Sequence, residues 1–216
     1  MSRPDPQCLE RAERKRVLSG SAPIVALVGP EGSGKTMLLA AWARDHAEAR
    51  WFDPEQVDLP AGTVLLVDEA DGVSADGWKL LTEAAASVPS LRIRVATRSL
   101  SALPDTWSAE IVSPHFDEEE VARSLRAHGS AADPRAVFAL TGGHPASVIE
   151  LARSGATAPR HLAAMLAAGT IARLPSTLAE LAIPDHLSRN VVIALGHDAA
   201  VLDEMERAGW GGWLPG

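Results

Sequence analysis

Apolar and polar positions along the chain follow two regimes, and the change falls near Ser113-Pro114. Before that point, short unbroken apolar runs alternate with longer mixed stretches. Ile24-Val25-Ala26-Leu27-Val28 and Thr63-Val64-Leu65-Leu66-Val67 lack the polar interruptions of a half-exposed strand. Such runs suit strands buried on both faces of a parallel sheet. Arg92-Ile93-Arg94-Val95-Ala96-Thr97 and Ala109-Glu110-Ile111-Val112 predict two more strands. Helical spacing covers 35–47 and 75–87, and residues 7–19 read as a short polar helix. Arg50-Trp51-Phe52 is a candidate second strand, with Asp53-Pro54 and Leu59-Pro60-Ala61-Gly62 as loop signals. Only about ten residues separate it from the run at 63–67, where a parallel crossover normally takes a dozen or more. It is therefore expected to be absent, antiparallel or a frayed edge.

From Asp117 the pattern is helical throughout. Asp117 precedes Glu118-Glu119-Glu120-Val121, an N-cap followed by acids where the helix dipole favours them. The triple glutamate is helix chemistry rather than a metal site. Helices are expected near 117–128, 134–141, 145–154, 159–169, 176–182, 188–195 and 199–208. The division that follows is an α/β core over 1–114, a helical lid over 115–170 and a helical tail over 171–216.

Composition narrows the picture. With 216 residues, 46% hydrophobic, the chain has room for one ordinary domain and a smaller satellite. A formal net charge of −8 and scattered arginines argue against non-specific coating of nucleic acid, although a local basic site is compatible with them. The one cysteine, Cys8, has no partner for an intramolecular disulfide, so a reducing cytoplasm is expected. No apolar run reaches the length of a membrane span, and Met1-Ser2-Arg3-Pro4-Asp5-Pro6 lacks the apolar centre of a secretion signal.

The candidate chemistry begins at Gly29-Pro30-Glu31-Gly32-Ser33-Gly34-Lys35-Thr36, set between the first strand and a helix that opens with Met37. Glycines there let the backbone turn tightly and approach a phosphate. The freed N–H groups form an anion nest, backed by the positive end of the helix. Lys35 is placed to reach the β- and γ-phosphates, and the Thr36 hydroxyl to bind Mg²⁺. This is the P-loop pattern, with ATP or ADP as the expected ligand.

Val64-Leu65-Leu66-Val67-Asp68-Glu69 supplies the second element: an apolar strand ending in two acids. Asp68 is the candidate Mg²⁺ holder and Glu69 the candidate that polarises the attacking water. Ligands of open α/β sheets bind outside the carboxyl ends of the strands, which agrees with this placement. Asp68-Glu69-Ala70-Asp71 also spells a helicase signature, a coincidence in a chain too short for two helicase domains. The third element is Val95-Ala96-Thr97-Arg98, where Thr97 or Arg98 is placed to sense the γ-phosphate. The fourth is Thr141-Gly142-Gly143-His144-Pro145-Ala146-Ser147, whose Pro145 reads as a helix-initiating proline after a glycine turn. His144 reads as a packing or capping residue.

Together the four elements resemble a STAND-class ATPase, related to AAA+ ATPases. The likeness is nearest to the nucleotide-binding module of maltose-regulator-like (LuxR-type) transcription activators, and it covers roughly residues 10–155. It implies a P-loop NTPase core of the ASCE type, with an extra strand between the two motifs, followed by a small all-helical lid. It also implies a nucleotide-dependent regulatory switch using ATP/ADP and Mg²⁺, with Pro145 near the adenine, and a protein partner or self-association. Two departures matter. Asp68-Glu69 replaces the more usual pair of aspartates, which leans toward AAA+ chemistry and competent hydrolysis. Such regulators continue into sensor and DNA-binding domains; the expectation that none follows Gly216 leans toward a nucleotide-gated module with negligible turnover. An AAA+-like accessory ATPase for a DNA-remodelling or transposition partner is the remaining alternative. The tail only loosely resembles the start of a winged helix, and its Trp210 and Trp213 either pack back or dock elsewhere.

Overall fold

The computed structural model describes residues 11–55, 59–88, 90–154, 188–202 and Met205. They fall into two compact units, and the chain passes from one to the other between His115 and Phe116.

The first unit is built on a five-stranded sheet. In chain order it contains α1 (Ala12–Leu18), β1 (Ile24–Val28), α2 (Lys35–Ala43), β2 (Ala49–Trp51), β3 (Val64–Val67), α3 (Ala75–Ser87), β4 (Arg92–Thr97) and β5 (Glu110–Val112). The strand order is β2-β3-β4-β1-β5, and every pairing is parallel. β4 therefore separates β1 from β3, as the extra-strand arrangement requires. Parallel alignment brings the C-terminal ends of all three strands to one edge of the sheet.

The uninterrupted apolar runs are explained by burial on both faces. Alternate side chains of β3 face opposite ways. Val64 and Leu66 pack with Leu18 of α1 and with Leu38, Leu39 and Trp42 of α2. Leu65 and Val67 pack on the other face with Leu81 of α3 and with Ile93 and Val95 of β4. Each fully buried leucine contributes about 1.5–3 kcal/mol relative to exposure, so two such layers hold the strand ends where chemistry can be mounted.

β2 is present and parallel to β3, which resolves the expectation of an absent, antiparallel or frayed strand. The connection from Phe52 to Thr63 carries no helix among its described residues. β2 lies at the sheet edge, with Trp51 46% exposed. α2 stops at Ala43 rather than running to residue 47. Its end tightens through Asp45 N–H to Trp42 O and His46 N–H to Ala43 O, at 3.1 and 3.2 Å.

One residue breaks the apolar rule in the middle of the sheet. Arg94 of β4 is fully buried. Its guanidinium donates to the carbonyls of Leu18 at 2.7 Å, Gly20 at 3.0 Å, Ala22 at 3.0 Å and its neighbour Ile93 at 3.1 Å. These carbonyls belong mainly to the turn joining α1 to β1, which has no ladder partners of its own. A buried cation is tolerated because its donors are used. Burial, reinforced by the charge of Arg92 and opposed by that of Glu110, lowers its pKa to about 10, so it stays charged at neutral pH.

The second unit is helical: α4 (Glu118–Ala127), α5 (Pro134–Thr141), α6 (Pro145–Ser154) and α7 (Arg189–Ala194) among the described residues. α4 begins with a capping box. Asp117 accepts from Glu120 N–H, and the Glu120 carboxylate accepts from Asp117 N–H, at 2.8 and 2.9 Å. Phe116, Val121, Leu125, Val137, Val148 and Leu151 form its core. α5 ends at Gly142 in the left-handed conformation. Gly143 follows at φ +73°, where a Cβ would lie 1.9 Å from Phe116 O. Phe116 N–H in turn donates to Gly143 O at 2.8 Å. The helices expected at 159–169 and 176–182 lie outside the described residues, as do the 170/171 boundary, Cys8, Trp210 and Trp213. Only part of the helix expected at 199–208 is described.

Candidate nucleotide site

The site grows from the C-terminal ends of β1, β3 and β4. β1 ends at Val28 because Gly29 turns away while keeping one ladder bond, its N–H to Thr97 O at 3.2 Å. A Cβ on Gly29 would meet the Pro114 ring at 2.8 Å and Ser33 Oγ at 3.0 Å, so glycine is required there by space. Gly32 and Gly34 require it by conformation, at φ +78° and +81°. Gly34 caps the nine-residue α2, whose N-terminus points its unpaired N–H groups at the loop. Glu31 and Gly32 are exposed at the loop tip, Ser33 is buried beneath it, and Met37 is 43% exposed on the first turn of α2.

Lys35 folds back over this loop. Its ammonium donates to Gly29 O at 2.6 Å and to Pro30 O at 2.8 Å. Desolvation lowers its pKa below the usual 10.5. Among neighbouring charges Asp71 opposes the shift most, Arg98 adds to it, and Asp68 and Glu31 oppose it. These side chains therefore share one electrostatic neighbourhood. Thr36 Oγ1 donates to Asp68 Oδ1 at 3.1 Å, joining the first turn of α2 to the end of β3. A hydroxyl and a carboxylate are oxygen groups of the kind Mg²⁺ prefers, and they would hold the ion directly or through water beside substrate phosphates. The residues present thus fit the ion.

Glu69 is exposed and adopts φ 49°, ψ 45°, the one non-glycine with positive φ among the described residues. That left-handed step ends β3 sharply and starts a short 3-10 turn, Ala70–Gly72. Ala70 is buried by the turn, and the Asp71 carboxylate reaches the end of β4. Asp71 Oδ1 accepts from Thr97 Oγ1 at 3.1 Å, and Asp71 Oδ2 accepts from Arg98 N–H at 2.7 Å. Thr97 is fully buried, and its hydroxyl also lies 2.8 Å from Ser99 O. Of the two sensor candidates, Arg98 alone presents an exposed side chain.

The structure brings residues 29–37, Asp68, Glu69, Thr97 and Arg98 to one edge of the sheet in one unit. Pro145 belongs to the second unit, buried at the first position of α6. His144 pairs its Nδ1 with Ser147 Oγ at 2.9 Å, in keeping with the packing or capping reading. Two contributors escaped the sequence reading. Asp71 was visible only as the last letter of the Asp-Glu-Ala-Asp run. Pro114 carried no signal, because its contact with Gly29 spans most of the unit. The acidic cluster Glu118–Glu120 serves the start of α4, and among the described residues no group of three or more His, Cys, Asp or Glu is placed to hold a metal.

No family model matches the chain, and no curated protein matches it. Among solved structures it is similar to the Walker-type ATPase PABY2304 of Pyrococcus abyssi, with a TM-score of 0.55 and 16% identity over 93% of this chain and 90% of that one. At that identity the likeness carries the fold. The chain therefore has a P-loop ATPase fold: a parallel α/β core followed by helices. Within the described residues, no helix is long and apolar enough to cross a membrane.

Proposed function

We propose that the protein binds Mg·ATP at the loop 29–36 and hydrolyses it. The observation that carries this reading is the Thr36–Asp68 hydrogen bond, which joins the phosphate-loop hydroxyl to the strand-end carboxylate with Glu69 beside it. Lys35 exchanges its loop carbonyls for β- and γ-phosphate oxygens, a charge-assisted contact. The N–H groups of Gly32–Thr36 and the start of α2 hold the remaining phosphate charge. Thr36 and Asp68 would hold Mg²⁺, which supplies charge neutralisation at the phosphates when bound. Glu69 orients a water toward the γ-phosphorus and takes its proton as the new P–O bond forms. The bridging P–O bond breaks and ADP leaves. Arg98, always charged and planar, is the donor for the γ-phosphate oxygens.

The finer reading is a nucleotide-dependent regulatory switch. It is supported by the chain path beside the loop. Pro114 packs at Gly29, and two residues later Phe116 is hydrogen-bonded to Gly143, next to the helix start at Pro145. A displacement of the loop therefore has only a few residues of chain to cross before it reaches the helical unit.

Calorimetric titration with Mg·ATP tests the site. Lys35→Ala is expected to weaken binding about tenfold or more, from the loss of a charge-assisted bond of about 1.5–3 kcal/mol. An unchanged dissociation constant in the folded variant would sink the assignment. Hydrogen exchange over 117–154, compared between ADP and a non-hydrolysable ATP analogue, tests the switch. Identical protection leaves the plain ATPase.

A further inference from the structure

The ends of the three central strands are tied through one residue pair. Thr97 accepts the Gly29 N–H at its carbonyl, which connects β4 to the phosphate loop. Its hydroxyl and the next N–H, that of Arg98, both reach Asp71, at 3.1 and 2.7 Å. Asp71 stands three residues after Asp68 in the turn that Glu69 starts. One carboxylate, using one oxygen for each donor, thus bridges the turn that carries the candidate base to the residue that carries the candidate phosphate sensor. Asp71 is itself exposed on this turn, and among the charges around Lys35 it opposes the lowered pKa most, ahead of Asp68.

We propose that Asp71 is a positioning residue that fixes the backbone of Arg98 and so aims its guanidinium at the γ-phosphate, coupling the sensor to the turn bearing Glu69. The proposal rests on the nucleotide site proposed above. An arginine side chain is long and rotamer-rich, and it loses that freedom on binding. Anchoring its main chain removes part of the search, which is how positioning groups act in catalysis. ADP lacks the γ-phosphate, so the effect belongs to ATP alone.

The test uses the full chain and two variants, Asp71→Ala and Asp71→Asn, titrated with Mg·ADP and with a non-hydrolysable ATP analogue. Asp71→Ala is expected to lower affinity for the analogue about five- to tenfold, the size of one lost hydrogen bond, and affinity for ADP less than about twofold. Asp71→Asn keeps an oxygen acceptor for the Arg98 N–H and should recover most of the loss. In an Arg98→Ala background, Asp71→Ala should add nothing to the analogue-over-ADP ratio, because the two act through one contact. Equal impairment by both substitutions would assign Asp71 a charge effect on Lys35 and overturn positioning. Equal loss for both nucleotides, or additivity with Arg98→Ala, would also overturn it. Exchange of the Arg98 amide in the nucleotide-free protein decides the bridge by itself: Asp71→Ala should deprotect it, and unchanged protection refutes the bridge. If the wild type binds neither nucleotide, the nucleotide site itself fails, and the amide measurement still stands.

Discussion

Replacing Arg94 with alanine is expected to destabilise the α/β unit by about 3–5 kcal/mol, because several buried or part-buried carbonyls lose their donor at about 1–3 kcal/mol each. The size follows from its contacts. Four carbonyls accept from the guanidinium at 3.1 Å or less, three of them in residues 18–22. Hydrogen bonds to charged groups contribute about 1.5–3 kcal/mol each, before the cost of burying the cation. That burial cost, several kcal/mol, is already met in the wild type and is recovered in the variant, so the loss is smaller than the sum. What remains is a set of carbonyls without their donor and a void against α1. Four of the six tryptophans, Trp42, Trp51, Trp78 and Trp107, lie in this unit, so urea unfolding followed by tryptophan fluorescence reports on it. The midpoint should fall at unchanged slope. The melting temperature should drop by roughly 12 °C or more, at about 4–8 °C per kcal/mol for a domain near 100 residues. Arg94→Met, which fills the volume without the charge, should lose less than Arg94→Ala. A loss below about 1 kcal/mol for alanine would refute the view that this arginine holds the α1–β1 turn to the sheet.

Three further outcomes are expected. Glu69→Gln should keep Mg·ATP affinity while phosphate release slows by roughly 10²-fold, the lower range for a general base; release at the wild-type rate would remove Glu69 from that role. Lys35 has a lowered pKa in the free protein, and phosphate charge raises it again in the complex. In the alkaline window between the two values binding therefore takes up a proton, and affinity falls as pH rises through the free-state value. Calorimetric enthalpies in buffers of different ionisation heat should reveal this uptake, and their equality would contradict it. Gly143→Ala should cost the helical unit about 3 kcal/mol or more, because a Cβ meets Phe116 O at 1.9 Å. Gly142→Ala, with open space around it, should cost about 1 kcal/mol, the left-handed penalty alone. Exchange protection of residues 118–154 separates the two, and equal effects would argue against the close approach.

Local signals decided much of this protein. An unbroken apolar run has few alternatives to a doubly buried strand, so β1 and β3 were legible as runs, whereas β4 carries arginines at 92 and 94. Caps and glycine turns act within a few residues, so Ser74, Asp117, Asp133 and Gly142 mark the starts and stops of α3, α4 and α5 where the sequence places them. The phosphate loop was legible for the same reason: its glycines, lysine and threonine are contiguous and need only one strand and one helix. What the tertiary structure alone decided is whatever depends on pairing distant segments. The sheet order put Thr97 and Arg98 between the phosphate loop and the Asp68 turn. It gave Asp71 its two donors, buried Thr97, and made Arg94 the clamp on the α1–β1 turn. The pairing of β2 parallel to β3 was likewise decided by the sheet, since its three residues carry no signal of direction. A residue's type limits the bonds it can make, but the partner that completes each bond lay 26 residues away for Thr97 and 76 for Arg94, and only folding brings such partners within 3 Å or so.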